Sequence, residues 1–258
     1  MVKAIIFDLD DTLLNDKRSI NEAFKATCQL ANEKCDIDPE LLEKIVREYA
    51  RELYATYPTY DFIKKIGINA FEGLWGTFDD SGEEFQRLHH IVPLYQLAVW
   101  KKGLLSMGIE DENFALTLAN SFSANRKKFN QVFDDTYEVL DELIGNYPLF
   151  MLTNGAPSLQ KTKLALTPKL QSYFDKIFIS GEFGIGKPDS SIFNHVLENI
   201  GLQIEDAMMV GDNLNTDILG ANRIGMKNVW INREGVEATE ILPTYEIKEL
   251  KELVSLVK

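Results

Sequence analysis

Short apolar runs alternate with amphipathic stretches along much of this chain, and the alternation predicts its secondary structure. The first apolar run, Ala4–Phe7, is followed directly by acidic residues. Four more strands are predicted, each after an amphipathic helical stretch, at residues 149–153, 176–180, 207–210 and 229–232. Apolar runs of this length are typical of strands that helices cover on both faces of a parallel sheet. The pattern therefore predicts the α/β class, with a parallel sheet wound on both faces.

The region between the first and second strands has another pattern, because its apolar residues recur at helical spacing and no strand is predicted there. We interpret this region as an all-helical insert placed after the first strand. A final helix from about residue 248 completes the predicted core. The predicted division of the chain is a core of residues 1–15 and 130–258 and a helical insert of residues 16–129.

Local signals predict where helices of the insert begin and end. Ser19–Glu22 has the pattern of a capping box, and the pair Asp38-Pro39 is typical of a helix start. The segment 67–76 holds three glycines among aromatic residues and predicts an irregular loop. Pro93 predicts a kink or a break in a long helical stretch.

Composition and charge narrow the class of protein. Hydrophobic residues make up 45% of the chain and charged residues 26%, as in ordinary soluble globular proteins. The net charge of −13 argues against a nucleic-acid partner and against an anionic membrane surface. No apolar stretch approaches the roughly 18 residues of a membrane-spanning helix, and the N-terminal run is too short for a signal peptide. We therefore expect a cytoplasmic protein. The expected assembly is a monomer or a homodimer.

Polar residues follow four of the predicted strands at the point where each strand ends. They are Asp8, Asp10 and Thr12 after the first strand, Thr153 and Asn154 at the second, Lys187 after the third, and Asp212 and Asp217 after the fourth. The carboxyl ends of parallel strands meet at one edge of a sheet, where ligands bind in such folds. A lone aspartate at a strand end is more often a helix cap, so the prediction of a functional site depends on these clusters occurring together.

In this order, the clusters resemble the four motifs of the haloacid dehalogenase-like superfamily. The matching residues are Asp8, Asp10 and Thr12 for its Asp-x-Asp-x-Thr motif, Thr153 for the threonine that closes a strand, Lys187 for the lysine motif, and Gly211, Asp212 and Asp217 for the acidic motif. The resemblance covers roughly residues 1–15 and 130–240. It implies a Rossmann-like catalytic core.

The resemblance also implies roles in phosphoryl transfer. It implies that Asp8 is the nucleophile that forms an aspartyl-phosphate. Asp10 is then the general acid toward the leaving group and later the general base toward water. Thr153, the backbone N–H of Asn154 and the side chain of Lys187 are the implied binding groups for phosphate.

The acidic residues point to a metal ion. Four carboxylates at one edge of a sheet would repel one another, and a hard dication relieves that repulsion. Mg²⁺ prefers carboxylate, carbonyl and water oxygens as ligands. By resemblance, its ligands are the carboxylates of Asp8 and Asp212 and the backbone carbonyl of Asp10, with Asp217 in outer or water-mediated contact.

The helical insert resembles the C1 cap of this superfamily in its position along the chain. Such a cap closes over substrate, excludes bulk water and supplies specificity contacts. Trp75 and Phe71 lie in the glycine-rich aromatic segment and are candidates for contact with substrate. The alternative is that these rings pack within the cap itself.

The function implied by the resemblance is that of a Mg²⁺-dependent phosphatase of the C1-capped branch, near the N-acylneuraminate-9-phosphatase and nucleotide 5′-monophosphatase groups. Its partner would be a small phosphorylated metabolite. A phosphomutase of the β-phosphoglucomutase type is an alternative, because it has the same core and a C1 cap. A haloacid dehalogenase needs no metal and lacks the second aspartate, so Asp10 argues against it. A non-catalytic phosphate-binding regulatory protein would be favoured only if a motif residue were missing.

Overall fold

The computed structural model describes residues 2–237 and 240–257, and the contacts within the chain group it into two units. One unit, here called the sheet unit, comprises Met1–Asn15, Gln131–Gly155 and Thr167–Lys258. The other, here called the helical unit, comprises Asp16–Asn130 and Ala156–Leu166. The chain therefore leaves the sheet unit twice and returns twice.

Six parallel strands form the sheet. In chain order they are β1 (Ala4–Phe7), β2 (Leu149–Thr153), β3 (Lys176–Ile179), β4 (Ala207–Gly211), β5 (Lys227–Ile231) and β6 (Tyr245–Ile247). Their order across the sheet is β3-β2-β1-β4-β5-β6, with Ile5 of β1 paired to Leu149 on one side and to Met208 on the other. The central strands β1, β2 and β4 are buried throughout, which is why every position in them avoids charge. The predicted α/β class and parallel Rossmann-like sheet are confirmed.

Strand β6 is absent from the strands predicted by the sequence. It has three residues, and Tyr245 and Glu246 are exposed. It lies at one edge of the sheet and pairs only with β5 among the described strands. A strand this short, with one buried side chain, has too little periodicity to be recognised.

Helices connect the strands and make up the helical unit. In chain order they are α1 (Asp16–Cys35), α2 (Pro39–Tyr54), α3 (Tyr60–Ile66), α4 (Ala70–Gly73), α5 (Glu83–Ser106), α6 (Glu112–Lys128), α7 (Thr136–Leu143), α8 (Pro157–Ala165), α9 (Pro168–Gln171), α10 (Ser180–Phe183), α11 (Ser190–Ile200), α12 (Leu219–Ile224) and α13 (Leu253–Val257). Shorter helical turns lie at Ile204–Asp206, Leu214–Ile218 and Leu250–Glu252. Among the helices described, none combines the length and the apolar character that crossing a membrane requires.

The first two helix starts differ in how well local signals predict them. Asp38 accepts hydrogen bonds from two backbone N–H groups at the start of α2, so that helix begins as predicted. Helix α1 already begins at Asp16, so the predicted capping box at Ser19 is wrong. The Ser19 hydroxyl is buried and contacts Arg126 instead. A tertiary contact therefore accounts for a residue type that usually marks a helix end.

Two further predictions within the insert, a kink or a break at Pro93 and an irregular loop at 67–76, are corrected in part. Helix α5 continues through Pro93, so a break does not occur there. Proline removes one intrahelical hydrogen bond, but Val92 and Tyr95 beside it are buried in the apolar core of the helical unit. Segment 67–76 is also not wholly irregular, because Asn69 caps the short helix α4. Burial and capping outweigh the local preference for a break or a loop.

Helix α8 follows β2 in the sequence but belongs to the helical unit. Asp80 accepts hydrogen bonds from the backbone N–H and the hydroxyl of Ser158, at 2.7 and 2.6 Å, and so caps α8 from a distant part of the chain. Leu159 of α8 lies in the apolar core of the same unit. The boundary predicted from the sequence keeps this helix in the core, because the alternation of strands and helices runs through it. The roles of catalytic core and cap stay predictions.

A network of buried charges lies inside the helical unit. Asp16 pairs with Arg126 at 2.7 Å, and Lys163 pairs with Glu72 at 2.9 Å. Lys163 also lies 3.7 Å from Asp16 and so links the two pairs. Burial alone would raise the pKa of Asp16, but the charges of Lys163 and Arg126 outweigh it and hold the pKa below its usual value. Each buried charge is therefore tolerated only with its partners in place.

Replacing Arg126 with methionine removes one cation of this network and keeps an unbranched side chain. We expect Arg126→Met to lower the free energy of unfolding by about 3–5 kcal/mol, because the buried carboxylate of Asp16 loses its nearest cation. Urea-induced unfolding at neutral pH measures this. The folded protein lowers the pKa of Asp16, so the ionised form stabilises the fold above about pH 4, and this contribution is lost as the pH falls further. The difference between the proteins should shrink in acid.

Arg87→Met is the matched control, since Arg87 pairs with Glu83 and Glu84 at the exposed surface. Exposed pairs contribute little to stability, so the unfolding midpoint of this variant should stay close to the wild-type value. Equal destabilisation by both substitutions would contradict a special contribution from the buried network.

Candidate active site

Three neighbouring strands end at one edge of the sheet and bring the residues at their ends together. Asp8 follows β1 directly, and its backbone N–H donates to the carbonyl of Val210 in β4 at 2.9 Å. Asp212 follows β4, and Thr153 closes β2, on the other side of β1. The parallel register thus places these residues at the edge where ligands bind in this class of fold.

Lys187 makes the central contacts at this edge. Its ammonium nitrogen lies 2.5 Å from Oδ1 of Asp8, 2.7 Å from Oδ1 of Asp217 and 2.8 Å from the carbonyl oxygen of Leu152. Hydrogen bonds join this nitrogen to Asp8 and to Leu152, whereas its contact with Asp217 is an ion pair. The side chains of Lys187, Asp8 and Asp217 are all buried. One buried cation therefore holds two carboxylates from opposite ends of the sequence.

Both carboxylates make a second contact through their other oxygen. The hydroxyl of Thr12 donates to Oδ2 of Asp8 at 3.1 Å and accepts from the backbone N–H of Asp212 at 3.0 Å. Oδ2 of Asp217 accepts from the backbone N–H of Asn213 at 3.1 Å. Because each carboxylate is held at two points, its plane is fixed.

Gly211, the last residue of β4, lets Asp217 lie against the strand. A Cβ atom at Gly211 would lie 2.3 Å from Oδ2 of Asp217, which is closer than unbonded atoms approach. Asp217 itself belongs to the π-helical turn Leu214–Ile218. Any side chain at position 211 would therefore displace this carboxylate, and the glycine beside Asp212 is explained by that contact.

The side chain of Asn154 holds the backbone of Lys187. Its oxygen accepts from the N–H of Lys187 and its amide donates to the carbonyl of the same residue, both at 2.9 Å. A Cβ atom at Gly186 would lie 2.6 Å from the Asn154 oxygen, so this glycine is required by close approach. Gly184 is different, because its φ of 91° lies in the region that favours glycine. The motif resemblance implies a role only for the backbone of Asn154. The two contacts of its side chain with Lys187 were therefore not predicted from the sequence.

Burial and charge act in opposite directions on the titratable groups of this edge. Burial raises the pKa of Asp8 to about 6, although the charge of Lys187 counteracts part of the shift. Burial alone would lower the pKa of Lys187, but the charges of Asp217 and Asp8 outweigh it and raise the pKa above its usual value. The lysine is therefore a permanent cation, and its charge offsets only part of the effect of burial on the pKa of Asp8.

The residues present fit a magnesium ion. Asp8, Asp212 and Asp217 each offer a carboxylate oxygen, and these atoms lie within 4.8 Å of one another. Lys187 cancels one of the three negative charges, which leaves two for the group. A dication matches that charge, and carboxylate oxygens are ligands that Mg²⁺ prefers.

Asp10 and Thr153, two further predicted site residues, lie at the ends of β1 and β2. Asp10 forms a bridge with Leu14 in the turn after β1, and its side chain is half-buried. Thr153 is fully buried. Acid–base chemistry by Asp10 and phosphate binding by Thr153 stay predictions, as do the roles of the other motif residues.

Trp75 and Phe71, the predicted specificity residues, belong to the helical unit. The Trp75 ring is 3% exposed, lies in the apolar core of that unit and faces the guanidinium of Arg126 at 5.1 Å. Phe71 is half-buried and packs edge to face against Phe24, with Arg51 4.8 Å above its ring centre. These contacts favour the alternative for Trp75, packing within the unit. Contact with substrate stays a prediction for both residues.

Ser180 and Trp230 contact the site but lie outside the motifs. The Ser180 hydroxyl accepts from the backbone N–H of Gly155 at 2.9 Å. The Trp230 indole donates to the backbone carbonyl of Asp212 at 2.8 Å. Both residues lie at or beside the ends of strands. This position is the only feature of the sequence that could have identified them as site residues. That signal is too common to identify them.

Comparison with known proteins finds relatives over nearly the whole chain. The family model described as haloacid dehalogenase-like hydrolase matches residues 2–225. Phosphoserine phosphatase of Thermus thermophilus is 31% identical over 254 residues, which cover 98% of each chain. N-acylneuraminate-9-phosphatase of Mus musculus is 29% identical over 263 residues, which cover 100% of this chain and 94% of the relative. A crystal structure of the HAD-hydrolase YfnB of Bacillus subtilis bound to magnesium has a TM-score of 0.64 and 25% identity, covering 99% of this chain and 98% of that one.

Gly211→Ala tests the packing of Asp217 against β4. The new methyl group would overlap the carboxylate, which must then move away from Lys187 and Asn213. We expect the affinity for Mg²⁺ to fall about 10–100-fold, as it does when a group that orients metal ligands is lost. The free energy of unfolding should fall by about 1–3 kcal/mol because of the overlap. Titration calorimetry with magnesium chloride and urea unfolding measure the two effects.

Gly145→Ala is the matched control, because nothing lies within 4 Å of the position that its Cβ would occupy. This variant should keep the wild-type Mg²⁺ affinity and stability. A Gly211→Ala protein that also kept both would contradict the packing described for Asp217.

Proposed function

Because this chain belongs to the haloacid dehalogenase-like hydrolases, we propose that it is a Mg²⁺-dependent phosphatase that forms an aspartyl-phosphate on Asp8. The observation that carries the proposal is the buried contact of Lys187 with Asp8 and Asp217. A carboxylate whose plane is fixed beside a buried cation is suited to attack an anionic phosphoryl group, because the cation offsets the charge of the phosphoryl oxygens. The substrate class in this proposal is a small phosphorylated metabolite.

The relatives support hydrolysis of phosphoric monoesters. Two proteins that match nearly the whole chain are named as phosphatases for phosphoserine and for an N-acylneuraminate. Asp10 supports the same class, because an alcohol leaving group needs a proton donor and a departing halide does not. Dehalogenase chemistry would leave the second aspartate without a purpose.

Asp8, Asp212 and the backbone carbonyl of Asp10 are the groups that would hold Mg²⁺. When bound, the ion supplies positive charge that offsets the charge of the phosphoryl oxygens. Asp217 stays in an outer position in this proposal, because its oxygens already contact Lys187 and a backbone N–H. Its carboxylate would then orient the lysine and add negative charge without a direct bond to the metal.

In the first step, an oxygen of Asp8 attacks phosphorus as the bond from phosphorus to the substrate oxygen breaks. The electron pair of that bond goes to the leaving oxygen, which takes a proton from Asp10 and departs as an alcohol. Lys187, Thr153 and the backbone N–H of Asn154 bind the phosphoryl oxygens as their charge is redistributed. The product of this step is an aspartyl-phosphate.

In the second step, water attacks the phosphorus of the aspartyl-phosphate. Asp10 is now ionised and accepts a proton from the water as the new bond forms. The bond between phosphorus and the Asp8 oxygen breaks, which releases inorganic phosphate and regenerates the carboxylate. Lys187 and Thr12 contact the two Asp8 oxygens and so keep the carboxylate oriented for the next substrate.

Asp8→Asn tests the nucleophile. The amide keeps the shape of the side chain but lacks the charged oxygen and removes one proposed metal ligand. We expect kcat to fall at least ~10³-fold because covalent catalysis is lost. The measurement is phosphate release with Mg²⁺, first from a panel of phosphorylated metabolites and then from the best substrate.

The matched control is Asp11→Asn, which changes another aspartate of the same turn. Asp11 has a φ of 61°, a conformation that asparagine also adopts readily, so the backbone should be unaffected. This variant should keep a rate within a few-fold of wild type. Similar losses in both variants, or a near-wild-type rate for Asp8→Asn, would refute the assignment of Asp8.

Removal of the metal should abolish hydrolysis. Dialysis against excess chelator should reduce phosphate release to the background rate, and added Mg²⁺ should restore it. Ca²⁺ should inhibit, because its longer bonds and higher coordination number allow it to bind both oxygens of Asp8. A carboxylate with both oxygens bound to a cation has none free to attack phosphorus. Full activity in excess chelator would overturn the metal-dependent mechanism.

A further inference from the structure

Trp230 lies in β5, is 2% exposed and makes a polar contact with the site. Its indole N–H donates to the backbone carbonyl of Asp212 at 2.8 Å. The chain has two other tryptophans, Trp75 and Trp100, and both belong to the helical unit. Their indole nitrogens are buried without a hydrogen-bond acceptor among the described residues. This fold therefore tolerates buried indole groups with no acceptor, so the contact to Asp212 is not required simply to satisfy a donor.

The carbonyl that Trp230 binds lies just beyond the regular part of the sheet. Gly211 and Trp230 are the last registered pair of β4 and β5, and the chain bends at Asp212. The indole of Trp230 binds the backbone carbonyl at this bend. On its other side, the backbone N–H of Asp212 donates to the hydroxyl of Thr12 at 3.0 Å. The backbone of Asp212 is thus held from β5 and from the turn after β1.

Fixing the backbone of Asp212 also fixes the direction of its Cα–Cβ bond. That direction matters because its carboxylate lies within 4.8 Å of those of Asp8 and Asp217 and is repelled by both. Asp212 is half-buried, whereas Asp8 and Asp217 are buried, so Asp212 is the member of the group with a path toward water. A backbone anchored on both sides opposes that movement before any metal arrives.

We propose that Trp230 is a positioning residue that holds Asp212 in the geometry needed for Mg²⁺. The indole acts only through the backbone of Asp212, so it touches neither metal nor substrate. This inference depends on the proposed function, because it assumes that Asp212 is a metal ligand. Its effect should appear first in metal affinity measured without substrate, and second in the Mg²⁺ concentration that supports turnover.

Trp230→Phe removes the N–H and keeps an aromatic ring. We expect the Kd for Mg²⁺, measured by titration calorimetry in the absence of substrate, to rise about tenfold or more. Trp100→Phe is the matched control, since it removes an indole N–H that has no described acceptor, and it should leave the Kd unchanged. Saturating Mg²⁺ should restore much of the turnover of Trp230→Phe, because the nucleophile and the acid are intact.

Phenylalanine is smaller than tryptophan, so a second substitution separates the hydrogen bond from packing. Replacing all three tryptophans biosynthetically with 3-benzothienylalanine exchanges each indole N–H for sulfur and keeps the shape of the ring. Because Trp75 and Trp100 have no described acceptor, this change removes a single indole hydrogen bond, that of Trp230. The Kd for Mg²⁺ should rise as in Trp230→Phe, with little change in the melting temperature of the metal-free protein.

The outcomes separate this inference from the proposed function. If wild type binds Mg²⁺ and the benzothienylalanine protein binds it equally well, the role of Trp230 is refuted and the proposed phosphatase stands. If wild type binds no Mg²⁺, the proposed metal site fails and the role of Trp230 fails with it. If Trp230→Phe does not fold, the benzothienylalanine protein decides the result alone. A rise in Kd for the analogue protein, with no change for Trp100→Phe, supports the role.

Discussion

The buried ammonium of Lys187 is the contact on which the geometry of the candidate active site depends. Without it, Asp8 and Asp217 would face each other as buried like charges, which is strongly unfavourable. With it, both carboxylates are drawn to one cation, at 2.5 and 2.7 Å. The lysine can occupy this position because Asn154 binds its backbone on both sides. Gly186 has no side chain, which leaves room for the Asn154 amide. The position of the Lys187 cation thus depends on Asn154, and that of Asn154 depends on Gly186.

The same lysine leaves the site short of positive charge, and this imbalance links the structure to the proposed chemistry. The three carboxylates of Asp8, Asp212 and Asp217 lie close together, and one ammonium contacts two of them, Asp8 and Asp217. Burial raises the pKa of Asp8 and the charge of Lys187 lowers it, so further positive charge would favour the ionised carboxylate. A dication would correct the shortage of positive charge, and with Lys187 it would offer two cations to the phosphoryl oxygens of a substrate. The proposed anchoring of Asp212 by Trp230 has the same cause. It would resist the repulsion among the three carboxylates before the metal binds.

Buried charge is also a feature of the helical unit, where it serves structure. Arg126 and Lys163 are paired there with Asp16 and Glu72, and this group of four side chains has no net charge. The pKa of Asp16 is lowered, opposite to the shift of Asp8, because two cations rather than one lie beside it. The contrast separates a balanced network, which stabilises a fold, from an unbalanced group, which is prepared to bind a cation.

The sequence by itself determined the sheet, the helical insert and the motif residues. These features depend on short-range pattern, since buried parallel strands need apolar runs and the motif residues directly follow those runs. Tertiary structure decided the remainder. The edge strand Tyr245–Ile247 has too few residues to form a pattern. The cap on α8 from Asp80 and the hydrogen bond from Trp230 to Asp212 join residues that are separated in the chain. Such contacts leave no periodic signal, because what fixes them is the position of a partner that only the folded chain brings near.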